Sequence, residues 1–360
     1  MRTIPPSFPS GLRRAGGFSL AELMIAVAIG LSILAGLSLM FVKNTRAQAE
    51  IEKAHRQVEN GRYAIDLLGV DLRNAGYYAE FEPSVLADPA ALPALCASSL
   101  DEIKAGLVLP VQGLDDGAAS PACLQDRREG TDVLVLRRTA TCIAGVGNCA
   151  PTSAGGPFFQ ASLCSNASEL DSPNVADFYA LSLSTANLNR HKRDCTSSPG
   201  SGTPADVRRY LTHIYFVANN NRAGDGIPTL KRLELGSDGS TPTWTVVPLA
   251  EGIENLQLEY GLDLARDGVA DTTTADPATA NDCGDAACAV ANWRSAVAVR
   301  VHLLARNTEA TPGHADTKRY TLGLDADGDE HVIEAAGDGY KRHVFQAQVA
   351  LPNPAGRRLP

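Results

Sequence analysis

Gly16-Gly17-Phe18-Ser19-Leu20-Ala21-Glu22-Leu23-Met24-Ile25 is the stretch on which the reading of this chain turns. A leader carrying Arg2, Arg13 and Arg14 and no acidic residue ends in glycine. Phenylalanine follows, and Glu22 is the one charge in an apolar run from Phe18 to Val42. At ~1.5 Å per helical residue, that run crosses a hydrocarbon core of ~30 Å with some tilt. A carboxylate at the centre of a membrane helix costs roughly 2.5–3.5 kcal/mol, so Glu22 requires a partner. The N-terminal amine of a neighbouring copy, freed by cleavage after Gly17, would be one. A plain single-pass anchor leaves the carboxylate unexplained. An ordinary secretory signal places its apolar stretch before the cut; here it follows, so the mature chain keeps its anchor. Arg13-Arg14 admits a twin-arginine reading, but no small-residue cleavage site follows the apolar run. The positive-inside rule holds the basic leader in the cytoplasm, which sends the rest to the periplasm. Lys43 and Arg46 stand at the far end, where they can snorkel to headgroups.

The helical pattern continues to about Asn74. Ala47, Ile51, Ala54, Val58, Gly61, Ile65, Leu68 and Leu72 recur at alternating steps of four and three, an apolar seam of the coiled-coil kind. Charged residues, among them Glu50, Lys53, Arg56, Arg62, Asp66 and Asp71, fill the other faces. Asn74-Ala75-Gly76 supplies C-cap chemistry. The expectation is one long helix with a greasy first half and an amphipathic second half.

The leader, the Gly17/Phe18 junction, Glu22 and the apolar helix resemble the class III signal of type IV pilins and of type II secretion pseudopilins. Further segments resemble the PilW family of minor pilins: Val58 to Leu68, Asp71 to Tyr77, Gly252 to Gly261 and Trp293 to Arg306. Relatives often carry a cysteine soon after the Gly-Tyr of the second segment; Ala79-Glu80-Phe81 stand there instead. The resemblance implies that a prepilin peptidase cuts after Gly17 and N-methylates Phe18, and that Glu22 acts in assembly. It implies as partners the inner membrane, the pilus assembly platform, the major pilin and other minor pilins. The expected place is the inner membrane, single-pass with the head in the periplasm, and then the pilus, at its tip. The function so implied is a minor pilin that primes assembly within a tip complex, with a type II secretion pseudopilin as the alternative. A membrane-anchored periplasmic binding protein, enzyme or adhesin is the reading from another class. The corresponding division is a leader over 1–17, a membrane or filament-core helix over 18–42, its amphipathic continuation over 43–76, and an exported β-rich head over 77–360.

With 360 residues and 44% hydrophobic content, the chain keeps enough length after the helix for a sizeable core. Frequent Gly and Pro and few aromatics suit a loop-rich β domain. A net charge of −9, with no stripe of basic and aromatic residues, argues against a nucleic-acid partner. Thr131–Arg137, Arg209–Val217 and Val297–Leu303 alternate with period two. Weaker strand signals lie at 105–112, 178–184, 229–236, 242–248, 255–261, 318–323 and 340–350. One helix followed mostly by strands predicts an α+β fold, a long helix packed on an antiparallel β-sheet head, and the pilin architecture agrees. The stretches 83–103, 139–176, 185–206 and 265–295 read as surface excursions.

All eight cysteines, Cys96, Cys123, Cys142, Cys149, Cys164, Cys195, Cys283 and Cys288, follow the anchor and read as disulfides. Eight cysteines allow 105 connectivities. Short spacing suggests Cys283–Cys288 and Cys142–Cys149, and sequential pairing would add Cys96–Cys123 and Cys164–Cys195. Zinc, with His191 near Cys195, is the competing reading, although no C-x-x-C pair exists. Asp325, Asp327 and Asp329, with Glu334, faintly resemble a calcium loop, but the glycine falls at position four, where an EF-hand needs it at six. Asp263, Asp267 and Asp271 form a similar run; acidic turn residues explain both. No catalytic or cofactor fingerprint is present: no GxSxG, HExxH, phosphate-binding glycine loop or GxGxxG. The chain therefore reads as a structural subunit, not an enzyme, without a cofactor. The seven histidines are scattered, and His213 and His302 fall on the polar phase of their strands, where solvated or edge positions are expected. Asn166-Ala167-Ser168 matches a glycosylation sequon.

Overall fold

A computed structural model describes residues 17–358; the leader residues 1–16, with Arg2, Arg13 and Arg14, lie outside the described residues, as do 359–360. The chain divides into two compact units, Met1–Glu52 and Lys53–Pro360. Helix α1 (Leu20–Asn74) begins in the first and ends in the second. It contains no proline, and its glycines each cost only about 1 kcal/mol relative to Ala. In the first unit its side chains are exposed, and the helix is long and apolar enough to cross a membrane.

The second unit holds the rest. Its strands are β1 (Val111–Leu114), β2 (Val133–Thr139), β3 (Phe158–Ala161), β4 (Tyr179–Ser182), β5 (Arg208–Ala218), β6 (Thr229–Ser237) and β7 (Pro242–Glu251). Then come β8 (Ile253–Leu262), β9 (Thr272–Thr274), β10 (Ala296–Arg306), β11 (Tyr320–Leu324), β12 (Glu330–Ile333) and β13 (Arg342–Ala350). Three short helices, α2 (Leu100–Ala105), α3 (Ala286–Arg294) and α4 (Pro352–Gly356), interrupt them. All pairings are antiparallel. β1 to β7 form one sheet around the long strand β5, which pairs β2 on one edge; its other edge is shared by β3, at Arg208 and Arg209, and β6, from His213 to Ala218. A second sheet runs β13-β10-β8-β9, and β11-β12 is a separate hairpin.

The main core lies where the last turns of α1 meet both large sheets. Ala64, Leu68 and Leu72 pack with Leu134, Leu136, Tyr215 and Val217 of the first sheet and with Leu256, Leu258, Val299, Val301 and Leu303 of the second. At about 1.5–3 kcal/mol per buried Leu or Val, this contact dominates the docking of the helix segment. The opposite face of the first sheet is covered too. Val133, Val135, Ile214, Phe216 and Leu233 pack beneath Leu95 and Leu124, which flank the Cys96–Cys123 disulfide. A third cluster is aromatic: Tyr78, Phe81, Phe159, Tyr179 and Tyr210 stack at centroid distances of 4.6–6.3 Å.

Several expectations change here. The buried face of α1 is Gln57, Gly61, Ala64, Leu68, Asp71 and Leu72, a seam that includes two polar residues; Ile51 is exposed and Ile65 only partly buried. Gly76 does adopt a left-handed φ of +75°, but its N–H donates to the Arg137 carbonyl on β2 and not back to the helix. Residues 105–112 form the end of α2, a 3-10 turn and only the start of β1. The stretch 83–103 covers a sheet face, and 139–176 contains the buried strand β3. The stretch 265–295 contains β9 and also α3, capped by the Asp285 carboxylate on the Cys288 N–H. His213 and His302 are not solvated: they are 7% and 3% exposed.

His213 belongs to a clamp on the helix. Asp71, 5% exposed, accepts hydrogen bonds from Arg138 Nε on β2 at 2.6 Å, from Tyr215 Oη on β5 at 2.8 Å and pairs with His213 Nδ1 at 2.6 Å. Burial pushes the Asp71 carboxyl pKa up, but the hydrogen bond and charge of His213, the Arg138 guanidinium and the Tyr215 hydroxyl outweigh it and hold the group well below the usual carboxylate range. Further up the helix, Gln57 Nε2 donates to the carbonyls of Ala305, at 2.7 Å, and Lys341, at 3.0 Å. Gly61 gives the closest approach: a Cβ there would lie 2.2 Å from Phe345 Cε2 on β13.

Two predictions follow from this packing. Gly61→Ala gains helix propensity of about 1 kcal/mol but overpacks against Phe345, at a cost of about 1–3 kcal/mol. It should lower the melting temperature in the wild-type background and raise it in a Phe345→Ala background, a sign reversal that denaturation of the four variants reads directly. Asp71→Asn leaves Arg138 and His213 without their anion and should cost about 3 kcal/mol at pH 7. Because the native carboxyl pKa is depressed, this stabilisation is complete above the unfolded value of ~3.9 and is lost as pH falls through the native one. The gap between Asp71→Asn and wild type in urea titrations should therefore narrow as pH drops below about 4; a gap constant down to the lowest pH would refute the charge contribution.

Candidate functional site

The candidate assembly site is the start of α1. Phe18 is 88% exposed and directly precedes the helix cap. Ser19 and Glu22 form a reciprocal pair: the Ser19 N–H donates to Glu22 Oε2 at 2.9 Å, and the Glu22 N–H donates to Ser19 Oγ at 3.2 Å. This is a capping box, legible in the sequence as Ser-x-x-Glu ahead of an apolar run. It supplies a local reason for the carboxylate beyond the assembly role assigned to it from the sequence. It also uses only one carboxylate oxygen: Oε1 carries no hydrogen bond among the described residues. A later turn repeats the economy, with Ser32 Oγ donating to the Ala28 carbonyl at 2.8 Å, so a hydroxyl in the apolar run is satisfied within its own helix.

The cysteines lie far from this site along the chain. They pair as Cys96–Cys123, Cys142–Cys149, Cys164–Cys195 and Cys283–Cys288, leaving none free. Cys195 is thus no thiolate, and His191 turns to Glu169 at 2.8 Å; the zinc reading loses both of its ligands. The acidic loops are occupied by their own backbone. Asp325 accepts from the N–H groups of Asp327 and Asp329 at 3.0 and 2.9 Å. Asp263 accepts from those of Arg266, Asp267 and Gly268 and from Arg358 Nε at 2.7 Å. Burial raises the Asp263 carboxyl pKa, but the Gly268 N–H, the Arg358 guanidinium and the other two N–H groups bring it below the usual range. Asp271 accepts from Leu264 and Ala265, and Asp267 from Val269. No group of three or more His, Cys, Asp or Glu side chains suited to a metal occurs among the described residues. Asn166, of the sequon, is 2% exposed and caps its own turn through Ser168.

Four of the seven histidines lie beside carboxylates: His191 meets Glu169, His213 meets Asp71, His302 lies 3.4 Å from Glu259 and His331 lies 3.7 Å from Asp116. Ser162, Glu169 and His191 invite comparison with a nucleophile triad, but the order is wrong: Ser162 Oγ donates at 2.6 Å to Glu169, not to the imidazole. A base that does not touch the hydroxyl cannot activate it. Sequence reasoning passed over these pairs because the members stand far apart in the chain.

Comparison with known proteins bears on both the N-terminal segment and the head. Residues 12–38 match the prokaryotic N-terminal methylation motif, and residues 214–353, from β5 to the start of α4, match the family model of type IV pilus-assembly protein W. No curated protein sequence matches the chain. Among solved structures, a type IV-like pilin from Thermus thermophilus aligns over 83% of this chain and 97% of its own, at 12% identity and a TM-score of 0.32. The two matches lie toward opposite ends of one polypeptide, a prepilin methylation motif and a PilW segment in the head, and together they support a PilW-type minor pilin of the type IV pilus.

Proposed function

We propose that this minor pilin primes filament assembly as part of a tip complex and has no catalytic role. The observation that carries this reading is Glu22, a carboxylate kept inside the apolar helix of a chain that also bears a large, disulfide-stapled head. In the proposed sequence of events, prepilin peptidase removes residues 1–17 and methylates Phe18. The helix over 18–42 remains in the inner membrane, with 43–76 continuing it and the head over 77–360 in the periplasm. The Phe18 amine of an adjacent subunit then meets Glu22. At 4 Å and an effective dielectric of about 20 the attraction is about 4 kcal/mol, enough to offset an insertion cost of roughly 2.5–3.5 kcal/mol. An uncompensated Glu22 is thus stable only beside a neighbour, which sets the axial register. The head contacts other minor pilins, and the major pilin adds beneath them on the assembly platform.

Mass spectrometry of filaments sheared from cells tests this. A peptide beginning with N-methylated Phe18 in the sheared fraction is the expected result. Processed protein confined to the membrane fraction would favour a secretion pseudopilin, and an intact leader would refute processing. Glu22→Ala should leave cleavage intact and reduce piliation at least tenfold, as expected when ~4 kcal/mol of pairing is lost; normal piliation would sink the pairing mechanism. Replacing Gly17 by a bulky residue should stop cleavage, seen as an unshifted band.

A further inference from the structure

A cleft of about 640 Å³ opens on the second unit, at the junction of α3, α4 and the loop after β8. It lies within the roughly 300–1,000 Å³ range of ligand-sized sites. Four guanidiniums line it, those of Arg266, Arg294, Arg357 and Arg358, against a single acidic residue, Asp88. This concentration stands out in a chain of net charge −9. Its walls include Pro83, Pro110 and Pro354, rigid apolar surfaces without an N–H to satisfy.

The arginines are held in place before any ligand arrives. Arg294 donates to the Ser84 carbonyl at 3.0 Å and pairs with Asp88. Arg357 donates to the Gly76 carbonyl at 2.8 Å and to Glu82 at 3.1 Å. Arg358 is fixed on Asp263. The same Asp263 carboxylate accepts the Arg266 N–H at 2.6 Å and holds that residue at a left-handed φ of +61°, an uncommon conformation for a residue with a side chain. The Arg266 side chain itself has no hydrogen bond or ion pair among the described residues and is exposed. Asp263 is fully buried and structural. Asp88 and Glu82, by contrast, are 51% and 47% exposed, so they can yield their arginines to another carboxylate.

We propose that this cleft binds an acidic peptide segment of another pilus subunit, carboxylates against the four arginines and backbone against the prolines. The partner's source rests on the tip-complex reading; the recognition chemistry does not. Preorganised guanidiniums lose little entropy on binding and form charge-assisted, bidentate contacts with carboxylates. A single small anion would use one or two of the four and leave the apolar walls bare.

The test uses the full processed chain in detergent micelles and fluorescence polarisation. The probe is a fluorescein-labelled, capped peptide of alternating glutamate and proline; the control replaces glutamate by glutamine. Saturable, salt-weakened binding of the glutamate peptide alone is expected. Arg266→Gln should weaken it about tenfold, the loss of one charge-assisted contact, at an unchanged melting temperature because that side chain has no internal partner. Arg266→Gln with Arg294→Gln should abolish it. Equal binding of both peptides, or binding insensitive to Arg266→Gln, would overturn the proposal. So would binding of inorganic phosphate with none of the peptide, which would mark a small-anion site. The Phe18 peptide in sheared pili reports on the pilus reading separately, so failure of one is distinguishable from failure of the other.

Discussion

Asp71 draws one turn of α1 against two strands at once, through Arg138 on β2 and through His213 and Tyr215 on β5. Taking a carboxylate and a guanidinium out of water costs several kcal/mol per ion, so this cluster is not where the bulk of the stability comes from. That comes from Ala64, Leu68 and Leu72 against two sheets. What apolar packing lacks is direction: a helix of leucines can slide or rotate by one residue at modest cost. A buried anion with three donors in fixed positions cannot. Any shift of α1 strands Asp71 away from Arg138 and leaves both uncompensated. The clamp therefore fixes the register of the helix on the sheet, and Gln57, bonded to the carbonyls of Ala305 in the second sheet and of Lys341 just before β13, repeats the device almost four turns earlier.

With the helix fixed on one face, the first sheet still has a second face to cover. Val133 and Val135 point there while Leu134 and Leu136 face the helix. A sheet buried on both sides needs near-continuous apolar strands, which is the composition of β2. The cover is a loop, not a helix, and a loop closed by Cys96–Cys123 brings fewer conformations to the unfolded state. The aromatic cluster around Phe159 and Tyr179 extends the same logic to β3 and β4, whose short strands are supported more by ring contacts than by ladder length.

What the sequence made legible follows from which signals are local. The long helix ending at Asn74 and the strands with clean alternation depend on spacing within one segment, and their positions in the structure agree. The α+β class followed from their order. The buried face of α1 differs from the apolar seam because it includes Gln57 and Asp71, whose partners lie 67 to 284 positions away. His213 and His302 were assigned to solvent for the same reason: polarity predicts exposure only when no partner is available. β3 was lost inside a Gly- and Pro-rich stretch because four residues are too few for a period to show. The capping box at Ser19 and Glu22 is a local Ser-x-x-Glu signal ahead of an apolar run. The arginine cleft unites residues from five separate segments, and no linear pattern announces it.

The capping role of Glu22 and the pairing role proposed for it are compatible because they would use different oxygens. In a helix start exposed to lipid, the first N–H groups lack partners, and each costs several kcal/mol in hydrocarbon. Glu22 Oε2 removes that cost for Ser19, and Ser19 Oγ does so for Glu22. The same hydrogen bond partly solvates the carboxylate. A neutral glutamine could supply an oxygen to the Ser19 N–H, but it could not attract an amine. An aspartate, one methylene shorter, carries the charge but not the reach of a capping box, which uses Glu or Gln at this position. Local capping thus accounts for the length of the side chain at position 22, and the proposed pairing with a neighbour would account for its charge. Only glutamate meets both requirements.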